Sequence, residues 1–158
     1  MTNKIVSIEE AEKISKQLKE AHKTIVLAGG CFDILHKGHL AYLKKAGKQG
    51  DVLFVALESD SNVRRLKGNK RPINNQQQRA IQLTKLSAVD YIILLPSLLG
   101  YRQYFDITQK LSPHIIAITE GDSKKEQKEI QAAAIEAKVV AVVKRFPEYS
   151  TTDILQEQ

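Results

Sequence analysis

Continuous apolar runs alternate along this chain with segments whose apolar residues recur every three or four positions. Five of the runs have the length of a strand, and they cover 25–28, 52–57, 89–95, 114–119 and 138–144. Runs that are apolar at successive positions are typical of parallel strands that helices cover on both faces. The helical periodicity predicts helices at 8–22, 38–47, 75–87, 101–110, 123–137 and 152–156.

Strands that alternate with helices predict one fold class. Right-handed crossovers would give an α/β, doubly wound (Rossmann-like), five-stranded parallel sheet with helices on both faces. The first helix begins with a capping box, Ser7 and Glu10, and we expect it to precede the sheet. We expect one domain over residues 1–158, with a leading helix in 1–22 and an α/β core in 24–158.

Composition narrows the class of protein. The 158 residues are 42% hydrophobic and 27% charged, which is ordinary for a globular chain. No apolar run approaches the length of a membrane span, and residues 1–13 lack the apolar core of an export signal. The single cysteine, Cys31, excludes an internal disulfide and fits a reducing compartment. We therefore expect a cytoplasmic protein without a membrane partner.

The net charge of +6 is concentrated in one segment. Between residues 63 and 79 there is no acidic residue but six basic ones, Arg64, Arg65, Lys67, Lys70, Arg71 and Arg79. Without them, 18 basic residues would balance the 18 acidic ones. A nucleic-acid-binding protein more often spreads its charge along a face that carries stacking aromatics. The patch favours a polyphosphate ligand, and a solvated basic loop is the alternative.

The polar loops after the strands should meet at one edge. Ligands of open parallel sheets bind beyond the carboxyl ends of the strands, where the strand order reverses. The loops that the pattern places there are 29–36, 58–72, 96–100, 119–123 and 145–151. Both histidines of the loop after the first strand, the basic segment and several Ser/Thr residues lie on or beside this edge.

The loop after the first strand carries the strongest chemical signal. His36 and His39 flank Lys37-Gly38 at the start of a helix, so both imidazoles can face one ligand. A helix N-terminus offers unpaired N–H groups to an anion such as phosphate, and Gly38 leaves those groups approachable. Two alternatives stay open here. The histidines could bind a metal, although no further ligand has zinc-like spacing, or they could only cap the helix.

A family resemblance rests on several motifs. Residues 30–39, Gly-Cys-Phe-Asp-Ile-Leu-His-Lys-Gly-His, resemble the signature of the cytidylyltransferase-like nucleotidyltransferases. The likeness extends through 50–51, 65–73, 78–79, 89–90, 121–122 and 150–154. The leading helix, the run 65–73 and the Ser-Thr-Thr at 150–152 resemble the adenylyltransferase domain of bacterial ADP-heptose synthesis. Gly29 and Thr119-Glu120 differ from that branch, and Arg145 is similar to the glycerol-3-phosphate cytidylyltransferase branch.

The resemblance implies a reaction and a set of roles. A phosphate oxygen of the acceptor would attack the α-phosphate of a nucleoside triphosphate, and pyrophosphate would leave. Mg²⁺ would accompany the triphosphate, and the protein itself would hold no metal. The implied catalytic residues are His36, His39 and Lys67. The implied acceptor-binding residues are Asp33, Arg65 and Arg71. The implied nucleotide-binding residues are Gly30, Cys31, Phe32, Gly38, Asp122, Arg145, Tyr149, Ser150 and Thr151.

The expected partners are therefore ATP or CTP and a phosphorylated small molecule, with ATP and heptose 1-phosphate preferred and no nucleic acid. The alternative enzymes are a glycerol-3-phosphate cytidylyltransferase and an adenylyltransferase that builds FAD. A nucleotide sensor or a basic nucleic-acid-binding module is the non-enzymatic alternative. Members of the family that the chain resembles are often dimers, so the resemblance also implies that a homodimer can form.

Overall fold

Six parallel strands form one sheet in the computed structural model, which describes residues 3–97 and 100–144. They are β1 (Ile5–Val6), β2 (Ile25–Gly30), β3 (Val52–Leu57), β4 (Tyr91–Leu94), β5 (Ile115–Thr119) and β6 (Lys138–Val143). Their spatial order is β1-β4-β3-β2-β5-β6. The predicted α/β class and parallel sheet are confirmed. The predicted number of five strands is wrong.

The additional strand is β1, which lies at one edge of the sheet. Ile5 is opposite Ile92 and Val6 is opposite Ile93, so the leading segment belongs to the sheet and does not merely precede it. Two apolar residues before the capping Ser7 are too short a pattern to predict a strand from sequence. The pairing with β4, and not the local sequence, makes these two residues a strand.

Six helices lie among the described residues: α1 (Ile8–Glu20), α2 (Lys37–Gly47), α3 (Asp60–Lys67), α4 (Gln76–Thr84), α5 (Tyr101–Leu111) and α6 (Lys125–Ala134). One buried cluster joins α2 and α4 to the sheet, and a second joins α1 and α5 to it, so helices cover both faces as predicted. The helix predicted at 152–156 lies outside the described residues.

Helix α3 replaces part of the loop that was predicted at 58–72. Ser59 caps it by accepting a hydrogen bond from the backbone N–H of Asn62. Asp60 stands in the first turn, and Arg64, Arg65 and Lys67 stand in the last. This order of charges favours a helix dipole, which stabilises acids near the N-terminus and bases near the C-terminus.

The sheet reverses its direction of growth at β2. The chain proceeds from β2 to β3 and β4 on one side and then returns to β5 on the other side of β2. The crevice between β2 and β5 is therefore the switch point, where ligands of such sheets bind. The loop that carries the two histidines follows β2 directly, so the fold places it at this crevice.

Candidate active site

A cleft of about 730 Å³ opens at the carboxyl edge of the sheet, between the loop after β2, helices α3 and α5 and the start of α6. Eight of the predicted site residues line it: Gly30, Cys31, Phe32, His39, Arg65, Lys67, Arg71 and Asp122. Three predicted residues, Asp33, His36 and Gly38, are not part of its wall. Arg145, Tyr149, Ser150 and Thr151 lie outside the described residues.

His36 caps helix α2. Its Nδ1 accepts hydrogen bonds from the backbone N–H groups of Gly38, at 3.1 Å, and His39, at 3.4 Å. Because Nδ1 accepts, the neutral ring carries its proton on Nε2. The ring stacks on that of His39, with centroids 3.8 Å apart and planes 20° apart. The cap thus fixes the tautomer of one imidazole and holds it against the other.

His39 connects this pair to the cleft. Its ring meets Phe32 edge to face, with centroids 5.3 Å apart. Phe32 has a positive φ of 46°, and its ring leaves no room for a side chain on Gly30, since a Cβ there would lie 2.8 Å from Phe32 Cε2. Gly30 therefore lets Phe32 support His39. No hydrogen-bond partner among residues 3–97 and 100–144 reaches the buried Nδ1 of His39.

The environment of His39 disfavours its protonated form. Burial, the protonated form of His36 and the charge of Lys67 together lower its pKa to about 4, and the backbone of Ile34 opposes these effects. Burial also lowers the pKa of His36. Both rings are therefore neutral at pH 7 in the ligand-free protein. A polyphosphate beside them would favour proton uptake, because an opposite charge stabilises the protonated form.

We expect the buried imidazole to make the ligand-free protein less stable in acid. Between the unfolded pKa of 6.5 and the folded pKa of about 4, the unfolded chain binds the extra proton, so stability falls as the pH falls. Urea unfolding at pH 7 and pH 5 should show that wild type loses about 1–2 kcal/mol more than His39→Gln does.

The exposed His22 supplies the control for this pH series. A His22→Gln variant should lose as much stability between pH 7 and pH 5 as wild type does. Equal losses in wild type and His39→Gln would contradict the lowered pKa of His39.

The basic segment reaches the cleft through three cations, Arg65, Lys67 and Arg71. Arg65 and Lys67 are exposed on the last turn of α3, whereas Arg71 is only 6% exposed. Arg71 Nε donates to Asp33 Oδ2 at 2.8 Å. The concentrated charge of the sequence thus lies beside the loop with the histidines, as a phosphate site requires.

Asp33 holds the loop that carries Arg71. Its side chain is buried and accepts backbone hydrogen bonds from Ile73 and Asn74 as well as the bond from Arg71, all at 2.8 Å. Burial alone would raise the pKa of Asp33, but the bonds from Asn74, Ile73 and Arg71 together lower it. Of this pair, which was predicted to bind the acceptor, only Arg71 reaches the cleft wall.

Asp122 lies on the β5 side of the cleft. One of its carboxylate oxygens accepts from the backbone N–H of Lys124 and the other from Lys128 Nζ, each at 2.7 Å. These bonds hold the turn that precedes α6. A ribose hydroxyl or a base that bound this carboxylate would share one oxygen with the backbone N–H of Lys124 or the other with Lys128 Nζ.

Two buried polar groups beside the cleft were not predicted as site residues. Arg79, one of the six cations of the basic segment, is 1% exposed and donates to the carbonyls of Cys31 and Glu58 and to Asp60. These hydrogen bonds all go to other residues of the protein, so Arg79 connects parts of the fold. Glu58 and Tyr104 form the other group and line the cleft. Glu58 is the first polar residue after a buried strand, which is the signal that could have identified it.

The Cys31 thiol behaves as a packed side chain. Burial raises its pKa, and the negative charge of Glu58 adds to this, while Lys67, Arg79 and Arg71 lower it. The described residues contain no cluster of three or more His, Cys, Asp or Glu side chains that could hold a metal. None of the helices in the described part of the chain is long and apolar enough to cross a membrane.

Comparisons with known proteins agree with this geometry. The family described as cytidylyltransferase-like matches residues 27–157. Two curated relatives are both named bifunctional protein HldE. One, from Aliarcobacter butzleri, is 39% identical over 153 residues, and the other, from Nitratiruptor sp., is 43% identical over 152 residues. The matches cover 97% and 96% of this chain but 31% of each relative, so the chain spans about a third of their length.

Two solved structures resemble the fold. The lipopolysaccharide core biosynthesis protein from Thermoplasma volcanium has 30% sequence identity and a TM-score of 0.59, with 78% of this chain and 97% of that one covered. The pantoate–β-alanine ligase from Francisella tularensis, solved with β,γ-ATP and β-alanine, has a TM-score of 0.68 over 98% of this chain and 73% of its own. Its identity of 16% shows the shared fold alone.

Proposed function

Because the chain belongs to the cytidylyltransferase-like family, we propose that it transfers AMP from ATP to heptose 1-phosphate and releases pyrophosphate. Nucleotidyl transfer follows from the family, while the base and the acceptor are the proposed part. Both choices are supported by the resemblance of residues 65–73 to the adenylyltransferase branch and by relatives at 39% and 43% identity. Since the chain matches only 31% of those relatives, the proposal covers this one step.

One observation carries the proposal. The stacked histidines stand at the N-terminus of α2, beside the switch point of the sheet and next to the cations of α3. Lys67, His39 and Cys31 all line the same cleft. A triphosphate in this place would meet the imidazole of His39 and the ammonium group of Lys67, whereas the backbone N–H groups of Gly38 and His39 already donate to His36 Nδ1.

These groups suit a transfer without a covalent enzyme intermediate. A phosphate oxygen of the acceptor forms a bond to the α-phosphorus in line, the bond from that phosphorus to the bridging oxygen breaks, and pyrophosphate leaves. His36, His39 and Lys67 stabilise the charge that grows on the α-phosphate and on the leaving group, and they align the reactants. Mg²⁺ enters as part of the nucleotide substrate, because Mg²⁺ in such sites is bound largely by substrate phosphates.

We propose that the two substrates bind on opposite sides of β2. We place the nucleotide at the crevice between β2 and β5, on the side of Asp122, with Arg145, Tyr149, Ser150 and Thr151 as further proposed contacts. The acceptor then lies on the side of β3 and β4, where Arg65 and Arg71 bind its phosphate. A homodimer and the absence of a nucleic-acid ligand stay predictions.

A pyrophosphate-release assay tests the proposal. ATP and CTP are each combined with heptose 1-phosphate and with glycerol 3-phosphate. We expect the pair of ATP and heptose 1-phosphate to exceed every other pair in kcat/KM by roughly 10²-fold, since a site built for substrate hydroxyls rejects acceptors that lack them. Activity with CTP alone would overturn the choice of base. Pyrophosphate release from none of the four pairs would overturn the transferase reaction with these acceptors.

A further inference from the structure

Glu58 is a buried acid on the wall of the cleft with one carboxylate oxygen already held. It directly follows β3 and is 8% exposed. Its Oε2 accepts hydrogen bonds from Tyr104 Oη at 2.7 Å and from Asn62 Nδ2 at 3.1 Å. Within residues 3–97 and 100–144, no donor is bonded to Oε1.

This arrangement presents an oriented acceptor to the cleft. Two neighbouring side chains fix the orientation of the carboxylate, and within residues 3–97 and 100–144 Oε1 is not among the buried polar atoms that lack a partner, so it is open to the cleft that Glu58 lines. Asn62 also bonds Tyr104 Oη, at 3.0 Å, so the three side chains hold one another. A carboxylate oxygen can only accept, and its natural partner in a cleft is therefore a hydroxyl or an amino group.

The position of Glu58 indicates which substrate it meets. It lies at the end of β3, on the side of β2 that faces away from β5 and Asp122. The cleft wall near it includes Arg65, Lys67 and Arg71, which suit a phosphate. A small molecule with a phosphate at one end and hydroxyls along its length could satisfy the cations and the carboxylate together.

We propose that Glu58 Oε1 accepts a hydrogen bond from a hydroxyl group of the phosphorylated acceptor and thereby selects polyhydroxylated acceptors. The inference rests on the proposed function, because it assigns a specificity-determining residue to the same cleft. Tyr104 and Asn62 act as positioning residues, since they hold the carboxylate and leave Oε1 toward the acceptor.

A Glu58→Gln variant tests this assignment. To keep the bonds from Tyr104 and Asn62, the amide must place its oxygen at the Oε2 position, which puts an NH₂ group where Oε1 was. We expect the KM for heptose 1-phosphate to rise roughly tenfold, and by up to about 100-fold in Glu58→Ala, as for loss of a charged hydrogen bond. The KM for ATP should stay within about twofold, as expected for a residue that does not contact the nucleotide.

The matched control is Glu120→Gln, which removes the same charge at the same edge of the sheet. Glu120 is exposed and is not part of the cleft wall, so this variant should resemble wild type. An unchanged acceptor KM in Glu58→Gln, or an equal rise in the KM for ATP, would overturn the assignment. If neither Glu58 variant unfolds cooperatively, Tyr104→Phe replaces them. A rise in acceptor KM alone then supports the proposal, and no change overturns it.

Calorimetry separates this inference from the proposed function. If wild type releases no pyrophosphate, wild type and Glu58→Gln are titrated with heptose 1-phosphate and with inorganic phosphate. Weaker binding of the sugar phosphate alone by Glu58→Gln supports hydroxyl recognition without the transferase reaction. Equal affinities of the two proteins for heptose 1-phosphate would overturn it.

Discussion

Replacing His39 by alanine should lower kcat for pyrophosphate release by about 10²–10³, as removal of a preorganised transition-state contact does. The loss should fall on kcat more than on KM, because the imidazole meets charge that grows only as the bond to pyrophosphate breaks. The structure supports this role through the position of His39 on the cleft wall, stacked on His36 and backed by Phe32. Steady-state kinetics with saturating ATP measures the effect.

Two comparisons make this measurement decisive. His22→Ala removes an exposed histidine and should leave kcat unchanged. The double variant of His36 and His39 should lose little more than the worse single variant, because residues that act as a unit are strongly non-additive. Near-full turnover by a folded His39→Ala protein would remove the histidine pair from the mechanism.

The alternation of apolar runs with helical periodicity was enough to predict the α/β class and the edge at which the site lies. Runs such as 52–57 are apolar at every position because helices cover both faces of that strand. Such a run can be recognised from the local sequence alone. The order of the elements then brings the loops after β2, β3 and β5 together. Hence His39, Lys67 and Asp122 could be assigned to one cleft before any coordinates were known.

Two elements were not predicted, because neither has enough apolar residues to give a recognisable pattern. Strand β1 has two residues, and its hydrogen bonds depend on β4, about 87 positions further along the chain. Six of the eight residues of helix α3 are charged or polar, so its apolar signal is only Val63, which is fully buried, and Leu66, which is 52% exposed. Its cap and its charge order indicate the helix better than its periodicity does.

Side-chain partnerships were the least accessible part of the site. The composition placed Arg71 and Arg79 in one basic segment, where both could be phosphate ligands. In the structure each faces a different acid, Asp33 for Arg71 and Asp60 for Arg79, at separations of 38 and 19 residues. A sequence shows that cations are concentrated, but only the fold shows which acid each of them faces.

Arg79 joins four segments of the chain beside the cleft. Its Nη1 donates to the carbonyls of Cys31, at 2.8 Å, and Glu58, at 2.9 Å. Its Nε donates to the carbonyl of Asn74 at 3.0 Å, and its Nη2 donates to Asp60 Oδ1 at 2.7 Å. One side chain therefore ties the loop after β2 and the end of β3 to the starts of α3 and α4. The planar fork of a guanidinium suits these divergent acceptors, whereas a lysine could not reach them all.

Replacing Arg79 by methionine should therefore lower the free energy of unfolding by about 3–5 kcal/mol, the cost of breaking a buried charged network on one side. The carbonyls of Cys31, Glu58 and Asn74 would lose their side-chain donor. Urea unfolding of Arg79→Met and Arg102→Met measures the effect against a matched control. Arg102 forms a 3.8 Å ion pair with Asp106 at 88% and 54% side-chain exposure, so its loss should cost less than about 1 kcal/mol. Equal stabilities of the two variants would contradict the view that Arg79 holds these segments together.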